Sequence, residues 1–373
     1  MKQQVTPWEV KGNINYDKLI KQFGTAKITD EHLKRIKRHT KNLHYFLKRK
    51  IFFSHRDLDW LLNEYEKGNK FFLYTGRAPS GPVHIGHLIP WIFTKWLQDK
   101  FNVDLWFQFS DEEKIFFKEK LTLEDTERWT YENMLDVIAL GFDSKKTHFL
   151  IDTKHAHLMY KEAVKVAKKI TFSTTKAAFG FTNETNIGAI FYTSMQAVPA
   201  FLPSVLNKKN IPCLIPLGVD QDIHFRISRD ILPKLGYYKP AIIHCRFMPG
   251  LGSMETNGKM STSEPHTAIF TTDSTEEVGT KIKKYAFSGG KDTVKEHREK
   301  GGNPDIDISY QWLTFLEEDD KKIGNIYHSY KSGRLLTSEL KEILINKINK
   351  FLKTHQKNRE KAKKQVDNFI FKE

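Results

Sequence analysis

Short apolar runs alternate with mixed, helix-spaced stretches through the middle of the chain. Phe71 to Tyr74 reads as a buried strand; a Gly/Pro/Ser turn follows, and an amphipathic helix begins near His84 to Gly86. The pattern recurs at Val103 to Phe109, which runs into an acidic helix start. Further short strands are expected at Thr147 to Leu150, Cys213 to Leu217 and Ala241 to Cys245. Apolar strands alternating with helical segments predict an α/β fold: a parallel sheet covered by helices on both faces. Ligands then belong at the carboxyl ends of the strands.

The flanks differ from this core. Upstream, Thr29 with Glu31 and a Leu/Ile spacing predicts a helix in a basic stretch, and HRDLDWLLNEYEKG predicts another, stopped by Gly68. Beyond about Pro265 strand candidates are few and charged helical stretches dominate. The last of these carries Leu340, Ile343, Leu344, Ile348 and Phe351 on one stripe, so a second, helical domain is expected there.

Composition narrows the class. In 373 residues, 39% hydrophobic and 13% aromatic side chains are enough to fill a substantial core. Cys213 and Cys245 are the only cysteines and form no CxxC unit, which excludes a disulfide framework and a thiolate zinc site and suits a reducing, intracellular compartment. No apolar run approaches the roughly 18 residues of a membrane span, so a protein without a membrane partner is expected. The net charge of +15 is concentrated: Lys331 to Glu373 holds 12 basic and five acidic residues, and Lys27 to Lys50 holds nine and two. Either segment is suited to a polyanion, although a solvated helix face has the same composition.

Two loops carry candidate chemistry. In Pro79-Ser80-Gly81-Pro82-Val83-His84-Ile85-Gly86-His87 the glycines allow close approach and the helix start offers N–H groups to phosphate. His84 and His87, three apart, share a helix face and can hydrogen-bond phosphoryl oxygens. HxGH arises by chance in a chain of this length on the order of 1% of the time, which weighs against an ordinary turn. The pair has no third and fourth ligand for zinc. The second loop, GKMSTSEP from Gly258 to Pro265, supplies Lys259 as a mobile point charge, with hydroxyls at Ser261, Thr262 and Ser263. It lacks Walker A spacing.

The two loops together resemble the HIGH and KMSKS signatures of class I aminoacyl-tRNA synthetases, with Thr262 where the second consensus has lysine. Over almost its whole length the chain resembles the tryptophanyl-tRNA synthetases of eukaryotic and archaeal type, through YTGRAPSGPVHIGHLIPWIFTKWLQD, QFSDEEK, FGFT, PLGVDQDIHFRISRD, KYAFSGGKDTVKEHRE and LTFLEEDD. The resemblance implies a Rossmann-like catalytic domain over 66–265, an N-terminal extension over 1–65 and a helical anticodon-binding domain over 266–373. The last ten or so residues are free to pack back on the catalytic domain.

The resemblance also implies that Tyr74 and Gln108 read an indole N–H, while Glu113, Gln196 and Gln221 hold the amino end and Lys114 neutralises the substrate carboxylate or phosphate. Thr75, Gly76, Arg77, His84, Gly86, His87, Lys259, Met260 and Ser261 would face ATP, with His84, His87, Lys259 and Ser261 carrying the chemistry and Mg²⁺ neutralising the phosphates. Asp220 and Asp222 would shape the ribose side. The implied reaction is attack of the tryptophan carboxylate on the α-phosphorus of ATP, followed by transfer to tRNA(Trp), in a cytoplasmic homodimer. A tyrosine-specific relative, a noncatalytic tRNA-binding paralogue and an unrelated nucleotide-activating transferase are the competing readings. The first would place an acidic acceptor where Tyr74 and Gln108 stand, the second has no use for His84, His87 and Lys259, and the third leaves the C-terminal match unexplained.

Overall fold

Along the central strands, successive residues enter two different hydrophobic clusters. Leu73, Leu105, Phe107, Phe149, Leu214 and Ile243 belong to one; Phe72, Tyr74, Trp106, Leu150, Ile215 and Ile242 belong to the other. This period of two places a packed core on each face of a sheet, as buried strands require. The computed structural model describes residues 4–5, 10–11, 14–252, 259–262 and 264–373.

The strands are β1 (Gln4–Val5), β2 (Val10–Lys11), β3 (Ala26–Lys27), β4 (Phe52–Arg56), β5 (Phe72–Arg77), β6 (Leu105–Phe109), β7 (Thr147–Ile151), β8 (Cys213–Gly218) and β9 (Ala241–Cys245). β1 and β2 form a separate antiparallel pair. The rest make one sheet in the order β3-β4-β9-β8-β5-β6-β7. The five strands from β9 to β7 are parallel, and β4 joins β9 antiparallel, so the sheet is mixed rather than wholly parallel. In β4 only Phe52 and Phe53 are apolar, too short a run to signal a strand. Ser54 and Arg56 find partners in the assembled core: Ser54 Oγ lies 3.1 Å from His244 Nδ1, and Arg56 grips Asp222 with two bonds of 2.7 and 2.8 Å.

The helix starts follow their caps. Thr29 caps Asp30–Thr40, Ser274 caps Thr275–Tyr285 in a capping box, and His84 stands at the N-cap of Ile85–Phe101. The long helix Thr337–Ala362 buries Leu340, Leu344, Ile348 and Leu352 in the same cluster that covers one face of the sheet. Beyond it the chain returns to the free edge of β7, where Phe149 N–H donates to Phe369 C=O at 2.7 Å and Phe371 N–H to Phe149 C=O at 3.0 Å.

Candidate active site

The strand order reverses beside β5: the chain moves outward through β6 and β7, then crosses back to lay β8 and β9 on the other side. A switch point of this kind opens a crevice over the carboxyl ends of the strands. Here it is a cavity of about 330 Å³, lined from the ends of β5, β6, β8 and β9, the helix Ile85–Phe101, and Lys259 and Met260. All six residues expected to hold the amino acid line it: Tyr74, Gln108, Glu113, Lys114, Gln196 and Gln221. Of those expected to face the nucleotide, Thr75, Gly76, Arg77, His84, Gly86, His87, Lys259 and Met260 also line it, whereas Ser261 does not. Gly258 and Ser263 lie outside the described residues.

Register explains how the polar side chains meet. Gly76 pairs with Gln108 across β5 and β6, and Tyr74 with Trp106, which puts Tyr74 and Gln108 on one face. A Cβ at Gly76 would sit 2.7 Å from the Gln108 carbonyl oxygen, so glycine there lets the strands keep their spacing. The Tyr74 hydroxyl donates to Gln108 Oε1 and accepts from Gln196 Nε2 at 2.7 Å. Tyr192 OH reaches both Gln196 Oε1 and Glu113 Oε2, and Glu113 pairs with Lys114 at 2.7 Å. Burial alone would raise the Glu113 carboxyl, but the Lys114 ammonium and its hydrogen bonds outweigh it and hold the group below the ordinary range. It is therefore a carboxylate, as a partner for an ammonium must be.

The two histidines of the turn stack with ring centroids 3.4 Å apart. His87 Nδ1 accepts the His84 backbone N–H at 3.2 Å, so Nε2 carries the ring proton and is a donor. Burial, with the nearby Arg77 charge, pushes both imidazoles well below their usual range, so both are neutral at physiological pH. Gly86 makes the stack fit: a Cβ there would lie 3.1 Å from His84 Nδ1 and 3.4 Å from Met260 Sδ. A Cβ at Gly81 would meet Thr262 at 2.8 Å. The two loops thus touch through their glycines, and a short ladder, Ile85 N–H to Ile269 C=O at 3.0 Å and Thr271 N–H to Val83 C=O at 2.9 Å, ties the chain after the second loop to the first.

Lys259 reaches into the cavity and pairs with Asp220 at 2.7 Å, and Gln221 Nε2 donates to the same carboxylate oxygen at 3.1 Å. Arg77 braces the first loop from behind, bonding Asn133 and the Gly81 and Pro82 carbonyls. Asp222 corrects the expectation for the ribose side. It is fully buried, held by Arg56 and by His244 at 2.9 Å, and fastens the antiparallel β4 to the sheet.

Among the described residues, the cavity's two acids, Glu113 and Asp220, are each engaged by a lysine. Away from it, His32, His55 and Asp59 lie within ligand distance of one another. Yet Thr29 N–H donates to His32 Nδ1 and Leu58 N–H to His55 Nδ1. Both Nε2 atoms therefore carry the proton and have no lone pair for an ion.

The sequence reading missed Trp91, Phe225, Arg246 and Phe247 among the lining residues. Arg246 and Phe247 directly follow the expected strand Ala241 to Cys245, so the strand-end rule could have found them. Trp91 lies one turn beyond His87 on the same helix.

A family model described as class I tRNA synthetases (W and Y) matches residues 66–353. The chain is 54% identical over 369 residues to the tryptophan–tRNA ligase of Sulfolobus acidocaldarius, covering 98% of this chain and 95% of that one; the Saccharolobus solfataricus enzyme of the same name is also 54% identical over 368 residues, with the same coverage. The crystal structure of Plasmodium falciparum tryptophanyl-tRNA synthetase superimposes with a TM-score of 0.90 at 45% identity, covering 96% of this chain and 98% of that one.

Proposed function

This chain belongs to the class I tRNA synthetases for tryptophan and tyrosine, and from that membership we infer how its pocket divides the work. Its activity is that of a tryptophan–tRNA ligase, which uses ATP to join tryptophan to tRNA. The observation that carries the residue assignment is the acceptor pair Tyr74 and Gln108, adjacent on one sheet face and opening into the cavity. A buried indole N–H left without an acceptor costs about 1 to 3 kcal/mol, so this pair favours tryptophan over phenylalanine. Glu113, Gln196 and Gln221 take the ammonium end, and Lys114 the carboxylate.

Activation needs no protein nucleophile. The tryptophan carboxylate oxygen attacks the α-phosphorus of ATP in line; the new P–O bond forms as the bond to pyrophosphate breaks, and the leaving electron pair goes to the pyrophosphate oxygen. Thr75, Gly76, Arg77, Gly86 and Met260 shape the nucleotide side, His84 and His87 offer neutral imidazole contacts, and Lys259 leaves Asp220 to follow the migrating charge with Ser261 beside it. Mg²⁺ would be held by the ATP phosphates, whose charge it would neutralise.

The 266–373 helices form the anticodon-binding part, 66–265 the catalytic part and 1–65 an extension. The basic faces of Thr337–Ala362 and Asp30–Thr40 meet tRNA phosphates, with salt-sensitive affinity. Exposed Tyr160, Val164, Phe172 and Ile187, on three neighbouring helices, suit the face of a homodimer. The buried free cysteines suit the cytoplasm, and among the described residues no helix is long and apolar enough to cross a membrane. Charging of a tRNA(Trp) transcript, with sedimentation of the same preparation, tests these assignments. Tryptophan-specific acylation by a dimer supports them; acylation by a monomer removes the dimer, and absence of charging removes the pocket reading.

A further inference from the structure

Gln108 can read an N–H donor only if its amide turns Oε1 toward the cavity, and a primary amide is nearly symmetric in shape. The same side chain, rotated by half a turn, would present an NH₂ group and repel the indole N–H. Within the cavity, the Tyr74 hydroxyl and Gln196 do not decide the matter: a hydroxyl can donate or accept, and the Gln196 amide has the same ambiguity as Gln108.

The deciding group lies on the third strand. Gln108 on β6 pairs with Leu150 on β7, and two residues on, at the same sheet face, is Asp152. Its side chain is 1% exposed and does not line the cavity. Gln108 Nε2 donates to Asp152 Oδ2 at 2.7 Å. Tyr74, Gln108 and Asp152 thus form a diagonal row across β5, β6 and β7, running from cavity to interior.

Asp152 is itself held. Its other oxygen, Oδ1, and both carboxyl oxygens of Glu112 are buried without a donor from elsewhere in the protein. These two carboxyls face each other, an arrangement that one shared proton satisfies; burial raises both groups, Asp152 well above its usual range and Glu112 to about 8, so the proton stays at neutral pH. The other acids here are committed: Asp111 accepts from Thr153 N–H at 3.0 Å and from its hydroxyl, and Glu113 pairs with Lys114. The shared proton lies between Glu112 and Asp152 Oδ1, so Asp152 Oδ2 remains an acceptor whichever carboxyl carries it.

We propose that Asp152 is a positioning residue for amino-acid specificity: by accepting from Gln108 Nε2 it locks the Gln108 amide with Oε1 toward the indole N–H. The proposal rests on the tryptophan-pocket reading above and adds to it a residue that touches no substrate. It requires an acceptor at position 152, not a charge. Asp152→Asn keeps an acceptor for Gln108, and its amide can donate to Glu112. Asp152→Leu removes the acceptor, and Asp152→Ala is a smaller substitution should leucine prevent folding.

The test compares tryptophan with its benzothienyl analogue, in which sulfur replaces the indole N–H, in pyrophosphate exchange. Folded variants are verified by ATP binding. In Asp152→Leu or Asp152→Ala the kcat/KM ratio of tryptophan to analogue falls by about 10- to 100-fold, mainly through KM for tryptophan, while the analogue is unaffected within about twofold. Asp152→Asn restores the ratio. A folded Asp152→Ala that keeps the wild-type ratio, or loses both substrates equally, overturns the proposal. Wild-type protein that activates neither compound instead overturns the pocket reading.

Discussion

His84 is buried, His87 lines the cavity beside it, and both sit near Arg77, so they work as neutral hydrogen-bond partners while the mobile positive charge comes from Lys259. That division gives a residue-level prediction. Lys259→Ala or His84→Ala slows adenylate formation on the order of 100-fold, the scale expected for one transition-state contact, and leaves tRNA affinity within about twofold. Single-turnover formation of the adenylate and filter binding of tRNA measure the two; an equal loss of both contradicts the assignment. These residues are legible in the sequence because both loops depend on particular side chains at fixed spacing. Asp152 is not, because an acid two residues past a strand pair looks like a solvated turn until the register with Gln108 is known.

At the scale of elements, the turn after β6 concentrates four acids, Asp111, Glu112, Glu113 and, from β7, Asp152. Glu112 keeps its proton up to about pH 8 in the folded protein, whereas the unfolded chain releases it near 4.5. The folded state then binds more protons across that window, and stability declines as pH rises through it. Glu112→Gln removes the Glu112 share of this dependence, leaving that of buried Asp152, and raises stability at pH 8 by about 1 to 3 kcal/mol relative to wild type; urea denaturation at pH 6 and pH 8.5 measures it, and an unchanged slope contradicts it. The same scale shows what periodicity conveys. Both faces of β5 to β9 are buried, so their apolar runs announce strands, and Ala241–Cys245 coincides with its expected span. β4 escapes because Ser54, His55 and Arg56 are polar, and Ser54 and Arg56 meet His244 and Asp222 only in the assembled sheet. Asp222 is misread for the same reason: its place beside Gln221 suggests the pocket, and only Arg56, far away in sequence, reveals a structural anchor.

Across the whole molecule, one hydrophobic cluster runs from the sheet into the helices after residue 265, and a polar network follows it. His355 Nε2 bonds Asp136 at 2.9 Å, and Arg359 bonds Asp136 and Glu132. Asp136 lies one turn from Asn133, which holds Gly81 and Arg77 behind the first loop. Arg359→Met leaves Asp136 buried with His355 as its remaining partner and costs about 3 to 5 kcal/mol, read as a lower denaturation midpoint; a change below about 1 kcal/mol contradicts the network's role. The central claim, that this cavity selects and activates tryptophan, is tested most directly by exchange of labelled pyrophosphate into ATP without tRNA, with tyrosine as control. Exchange is expected with tryptophan and is absent with tyrosine. Exchange supported by tyrosine, or none with tryptophan from folded protein that binds ATP, contradicts it.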